Sequence, residues 1–418
     1  MAGNRSVYSI LITVTLLLTG RATTEPSRTE DCTNGLPAST RRWIARARDA
    51  GSYRIPGFPY LRADRFLASF RKEIRDDPAA FGVWLDRLKR LDGTARSYEV
   101  RNLPRHFLAS LAVPDSSAAI AKTKACTAAL SQQDLAKPSQ REALVAQVEV
   151  PDDYVERNRI LGLYPLATLP FSIGVTRCQN ETAAMFRRAA AGDAEDGTVV
   201  RYEPGAKPAD ASQIRAIFVH TPQDRLGIPQ FSTEDHERLF QAFAPIFEIS
   251  TSGEYDRFGP LALGSGPTPE VDVTGPTVSR RLAFTRYDKW VLAQLVYTIW
   301  FPERPRESSL DLLGGKLDGL IFRVTLDREG RPLVYDTIHP CGCYHMFFPT
   351  ARVRVKPSPQ PGIEWAFVPA ILPKVGSGSA WCCILPAGRT TSWVCASTVA
   401  AAAVSMILPR RTNCARCR

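Results

Sequence analysis

The chain predicts a mixed α+β fold, with a helical N-terminal region followed by an antiparallel β-rich C-terminal region. From Ser39 to about Leu111 apolar residues recur at helical spacing, and a mainly helical region is expected over 38–190. From about residue 212, and over 212–372 as a whole, short apolar runs alternate with polar residues and flank turn sequences. Between them Gly192 to Ala211, rich in Gly, Pro, Ala and acids, reads as a linker. Helices and strands separated along a chain in this way give α+β topology rather than an alternating α/β one.

Residues 1–22 read as a secretory signal. Arg5 precedes a 14-residue apolar run, Val7 to Gly20, and Gly20-Arg21-Ala22 offers the small residues a signal peptidase needs. The run is shorter than the roughly 20 apolar residues of a membrane-spanning helix. A bacterial-type exported protein, periplasmic or extracellular, is expected, with an uncleaved N-terminal membrane anchor as the alternative. Ser39 then caps a segment carrying Trp43, Ile44 and Ala47 on one face and ending at Gly51. Asp64 starts another, with Phe66, Leu67, Phe70 and Ile74 at helical spacing. The clearest helix runs from Pro78 to about Leu91: Asp77 is its N-cap, Pro78 occupies the first turn, and Gly93 follows its end. Its Phe81, Trp84, Leu85, Leu88 and Leu91 form a core stripe.

Asp152 to Val175 is irregular, broken by Gly162, Pro165 and Pro170. Ser232 to Asp235 opens a short amphipathic helix carrying His236, Leu239, Phe240 and Phe243. His236, like His106 and His220, reads as a surface histidine. Two hairpins follow. Arg281–Thr285 and Trp290–Trp300 flank the turn 286–289, and Leu317–Leu326 and Leu333–Ile338 flank 327–332. Trp290–Trp300 is apolar on both faces and belongs inside a sheet.

Hydrophobic content of 44% and charged content of 23% are those of a folded chain, and the net charge is +11. Between Arg41 and Arg90 there are thirteen Lys or Arg against six Asp or Glu. No aromatic residues interleave with these cations in a stacking pattern, so no nucleic-acid partner is expected. A solvated helical surface, or contact with an anionic envelope surface, fits better.

Cys32, Cys126, Cys178, Cys341 and Cys343 make an odd number before residue 380, so at least one is unpaired or bound to something; Cys32 with Cys126 or Cys178 is a plausible bridge. Another five crowd into 381–418, which has no acidic residue after Glu364. That tail is anomalous: it reads as a short hydrophobic anchor, a zinc knuckle through Cys414 and Cys417, or translation out of frame. A shifted frame through Trp381-Cys382-Cys383 restores a strand-like sequence of ordinary composition.

The most informative segment is His339-Pro340-Cys341-Gly342-Cys343-Tyr344-His345. His339, Cys341, Cys343 and His345 are spaced by two, and thiolate and imidazole are the ligands Zn and Cu prefer. On a straight strand neighbouring side chains would lie about 6.6 Å apart and the two histidines about 20 Å apart. A shared ion therefore requires a bent loop, which Pro340 and Gly342 permit. Asp336 is placed to orient an imidazole from behind. The alternatives are a disulfide-forming strand end and a thiol-redox pair, whose small Cys341–Cys343 ring would be strained and easily reduced. No G-x-S-x-G, H-E-x-x-H, P-loop or Rossmann fingerprint accompanies the segment. The sequence thus proposes a metal- or ligand-binding protein, with a metal-dependent or thiol-redox enzyme on the same residues as the alternative.

Overall fold

A computed structural model describes residues 52–103, 113–149, 164–191, 198–205, 210–263, 268–306, 314–357, 365–372, 381–385 and 394–397. The proposed signal, the Ser39 helix, Cys32, His106 and the tail beyond 397 lie outside them. The fold is mixed α+β, with helices mostly in the N-terminal half and antiparallel sheet in the C-terminal half. Two compact units divide the chain: residues 1–64 with 86–149, and residues 65–85 with 150–418.

In the first unit β1 (Tyr53–Ile55) and β2 (Phe58–Ala63) form an antiparallel hairpin that the sequence reading did not contain. α1 (Arg65–Ala68) belongs to the second unit, and α2 runs Pro78–Arg101, of which residues 86–101 belong to the first. Its start is as predicted: Asp77 Oδ1 accepts from the Ala79 and Ala80 N–H groups at 2.9 and 3.0 Å. Its end is not, because the helix continues through Gly93 to Arg101. Tertiary packing explains the extension. Arg62 on β2, 1% exposed, is paired with the buried carboxylates of Asp92 and Glu99 one and three turns into this second half. Arg96 binds Asp92 at 2.8 Å and the Pro59 carbonyl at 3.2 Å. These pairs fix the helix beyond the point where a lone glycine would end it. α3 (Ser116–Asp134), capped by Asp115, and α4 (Pro138–Gln147) complete the described part of this unit. Cys126 on α3 is disulfide-bonded, and Cys178, Cys341 and Cys343 are thiols outside any disulfide, so its partner is none of these three.

The second unit is built on a five-stranded antiparallel meander. Its strands are β7 (Ser279–Tyr287), β8 (Trp290–Arg304), β9 (Gly315–Leu326), β10 (Pro332–Ile338) and β11 (Met346–Pro349), side by side in sequence order. Both predicted hairpins are present, and β8 is flanked on both sides as its composition requires. Alternate residues of β8 (Leu295, Tyr297, Ile299, Phe301) and β9 (Leu320, Phe322, Val324, Leu326) enter one buried cluster with Tyr335, Met346 and Phe348. Covering them are α5 (Tyr164–Ala191), through Phe186; α6 (Ala211–His220), through Ile214 and Ile217; and α7 (Thr233–Ala242), through Leu239 and Phe240. The Ser232 cap of α7 is the predicted one. α5 passes through Pro165 and Pro170, where an irregular segment was expected.

A second, four-stranded sheet has the order β13 (Val394–Ser397), β12 (Trp381–Leu385), β4 (Ile246–Thr251), β3 (Thr198–Tyr202). β3 lies within the stretch that read as a linker; its Arg201 is paired with Glu248 on β4, and that cross-strand ion pair helps the polar segment to pair. β12 joins β4 in parallel. The short hairpin β5 (Leu261–Leu263) with β6 (Pro269–Val271) completes the described strands.

Candidate functional site

The seven residues from His339 to His345 are the connection between β10 and β11. The Gly342 N–H donates to the His339 carbonyl at 2.8 Å, and the His339 N–H donates to the Cys343 carbonyl at 3.1 Å. Pro340 takes the second turn position, where its fixed φ belongs. Gly342, at φ 87°, takes the left-handed position that follows. The result is a tight three-residue hairpin loop, so the segment is bent as its Pro and Gly imply. Between the pairs Thr337–Met346 and His339–Cys343 one strand advances two residues and the other three. Tyr344, at φ 54°, is the extra residue and forms a bulge.

That bulge sorts the two histidines. Asp318 has the parity of Leu320 and Phe322, which face the core. Asp336 is directly opposite Arg323, which has the other parity. His339 Nε2 is hydrogen-bonded to Asp318 Oδ1, whereas His345 Nε2 lies 2.9 Å from Asp336 Oδ1 and 3.0 Å from Arg323 Nη2. Each imidazole therefore has its own buried carboxylate, on opposite faces of one sheet. Asp336 does orient a histidine, but it is His345 rather than His339. Both Arg323 Nε, at 2.8 Å, and His345 compete for the same Asp336 oxygen, and the His345 ring packs on Phe347 with centroids 4.0 Å apart.

His339, Cys341 and Cys343 come together. Cys341 Sγ is 3.0 Å from His339 Nδ1, the Cys341 N–H points at that nitrogen at 3.3 Å, and the Cys343 N–H donates to Cys341 Sγ at 3.4 Å. The Cys343 side chain is also hydrogen-bonded to that of Cys341. Asp318, 2% exposed, accepts from the Gly319 N–H at 2.8 Å through Oδ1. Its Oδ2 is buried without a partner among the described residues. A buried carboxylate with that unmet charge favours an imidazolium beside it. Burial pushes the His339 pKa down, but Asp318 and Cys341 outweigh it and the net shift is upward. For Cys341 burial pushes the pKa up, and the Cys343 thiol and amide together with His339 outweigh it, so the thiol ionises more readily than usual. With Nε2–H held by Asp318, Nδ1 is the nitrogen left to take the thiol proton. Thiol, imidazole and carboxylate thus stand in the order of a nucleophile, its base and the group that orients the base.

His345 does not join this group. Among the described residues, no set of three or more His, Cys, Asp or Glu side chains is arranged to hold a metal ion. Asp318 was missed as a partner of His339 because it is 21 residues away in sequence. The signal was available in the β9–β10 register, in which Ile338 opposes Ile321, so that two to three residues further on the loop reaches Asp318.

The close approach of the loop to β9 depends on Gly319. A Cβ there would lie 2.9 Å from the Ile299 carbonyl oxygen and 3.0 Å from Pro340 Cγ. Gly319→Ala is therefore expected to lift the Pro340 turn from Asp318, slow Cys341 alkylation at neutral pH, and cost about 1–3 kcal/mol, the usual range for overpacking. Alkylation rates and urea midpoints on the same protein check both parts.

No protein-family model, no curated protein and no solved structure matches this chain. The function must be argued from the chemistry of the loop itself.

Proposed function

We propose that the β10–β11 loop is a thiol–disulfide exchange site in an exported protein, with Cys341 as nucleophile and Cys343 as resolving thiol. The observation that carries this reading is the contact of Cys341 Sγ with His339 Nδ1 at 3.0 Å, in an imidazole held by buried Asp318 and beside a second thiol. His339 takes the Cys341 proton, and the thiolate attacks one sulfur of a substrate disulfide. A mixed disulfide forms, and the other substrate sulfur leaves as a thiolate that is protonated. Cys343 then attacks Cys341 Sγ, closing the Cys341–Cys343 bond and releasing the second substrate thiol. Two electrons pass from the loop to the substrate.

Export through residues 1–22 is part of the proposal and makes disulfides of envelope or extracellular proteins the substrate class. The basic stretch 41–90 would face an anionic envelope surface in that setting. The test is to reduce the purified full chain, treat it with chelator, and add oxidised glutathione. Two equivalents of reduced glutathione released per chain, lost in Cys341→Ser and in Cys343→Ser, are expected. A stoichiometric Zn or Cu ion that survives purification and masks both thiols would overturn exchange in favour of the metal-binding reading.

A further inference from the structure

A third thiol outside any disulfide belongs to the same neighbourhood. α5 packs on β11 through Phe186 and Phe348, whose ring centroids are 5.5 Å apart. Eight helical residues back from Phe186 is Cys178, about 12 Å along the axis at about 1.5 Å per residue. Four residues back from Phe348 is Tyr344, the bulge ahead of β11, at most about 13 Å away at about 3.3 Å per residue. Cys178, Thr182 and Phe186 recur every four residues, and Thr182 and Phe186 are buried, so this is the covered face of α5. Cys178 is half-buried and free. Tyr344 reports the proximity: burial raises its pKa first, then the charge of Cys178, and Cys343 adds to the same effect. The Tyr344 bulge thus stands beside sulfurs from both the helix and the loop.

We propose, resting on the exchange reading above, that Cys178 is a relay thiol which takes the disulfide from the loop. The Cys178 thiolate, its proton passed to solvent or base, attacks Cys343 Sγ of the Cys341–Cys343 disulfide. The Cys178–Cys343 bond forms, the Cys341–Cys343 bond breaks, and Cys341 leaves as the thiolate held by His339. No further oxidant is consumed. The direction follows from two effects: the ring closed over Cys341-Gly342-Cys343 is small and strained, and Cys341, which ionises more readily than an ordinary thiol, is a good leaving group. Cys341 is thereby freed while the oxidising equivalent is stored across α5 and β11.

The experiment oxidises reduced full-length protein with one equivalent of oxidised glutathione, alkylates at once, and locates bonds and labels by tandem mass spectrometry. The expected result is a Cys178–Cys343 bond with Cys341 labelled, and in Cys178→Ser a Cys341–Cys343 bond with Cys341 unlabelled. A Cys341–Cys343 bond with Cys178 labelled in the unaltered protein overturns the relay alone. Absence of any bond among the three cysteines in both proteins overturns the exchange reading and the relay with it.

Discussion

His339→Ala is expected to slow alkylation of Cys341 by iodoacetamide at pH 7 several-fold and to move its rate–pH profile to higher pH. The sign follows from the direction of the shift. Cys341 ionises more readily than an ordinary thiol, with burial opposing and Cys343 and His339 favouring the thiolate. Removing the imidazole takes away one favouring partner, so less thiolate exists at neutral pH. The loss is bounded at about thirtyfold, since an ordinary thiol is still a few per cent ionised at pH 7. Asp318→Asn should move the profile the same way by less, because an amide oxygen can still accept from His339 Nε2 but no longer carries charge. A profile identical in all three proteins would remove His339 and Asp318 from the site. His345→Ala serves as the control: its carboxylate lies on the other face of the sheet, and the profile should not move.

Arg62→Met is expected to lower unfolding stability by an amount on the order of 3–5 kcal/mol, the range for removing one partner of a buried ion pair. Its side chain is 2% exposed between Asp92 at 1% and Glu99 at 0%. Deleting the guanidinium leaves two buried carboxylates; among the described residues Asp92 keeps Arg96, and Glu99 keeps the 40% exposed Arg54. Arg177→Ala breaks an ion pair whose partners are 80% and 63% exposed and should leave the urea midpoint unmoved. Equal midpoints for the two variants would show that the buried network contributes nothing.

The contrast between those two arginines also explains what could be read from the sequence. Asp77 and Pro78 announce the start of α2 because capping is local chemistry. Its end is set by Arg62, Asp92, Arg96 and Glu99, which the hairpin strand β2 and the helix bring together from thirty or more residues apart in sequence. The turns 286–289 and 327–332 carry their own signals, and both hairpins were legible. β3 and α5 were not, since a polar strand and a helix containing Pro165 and Pro170 depend on what packs against them. At the loop, Pro340 and Gly342 foretell the reversal. The partition of His339 to Asp318 and His345 to Asp336 does not follow from spacing. It depends on the Tyr344 bulge, which shifts one strand by a residue and so exchanges the faces.

The two sheets also differ in how far apart in sequence their partners lie. β9 and β10 are joined by residues 327–331, five in all, whereas β4 meets β12 only across residues 252–380, 129 in all. Loop-closure entropy grows as (3/2)RT times the logarithm of length, so the parallel contact costs about 3 kcal/mol more to bring together than the hairpin. The meander that holds the thiol loop can therefore form early from local pairings. β4 must wait with one edge bare until a segment more than a hundred residues later reaches it. In that interval the β3–β4 pair offers an open strand edge to other chains. The part of this protein most exposed to misassembly during folding is thus the four-stranded sheet and not the site.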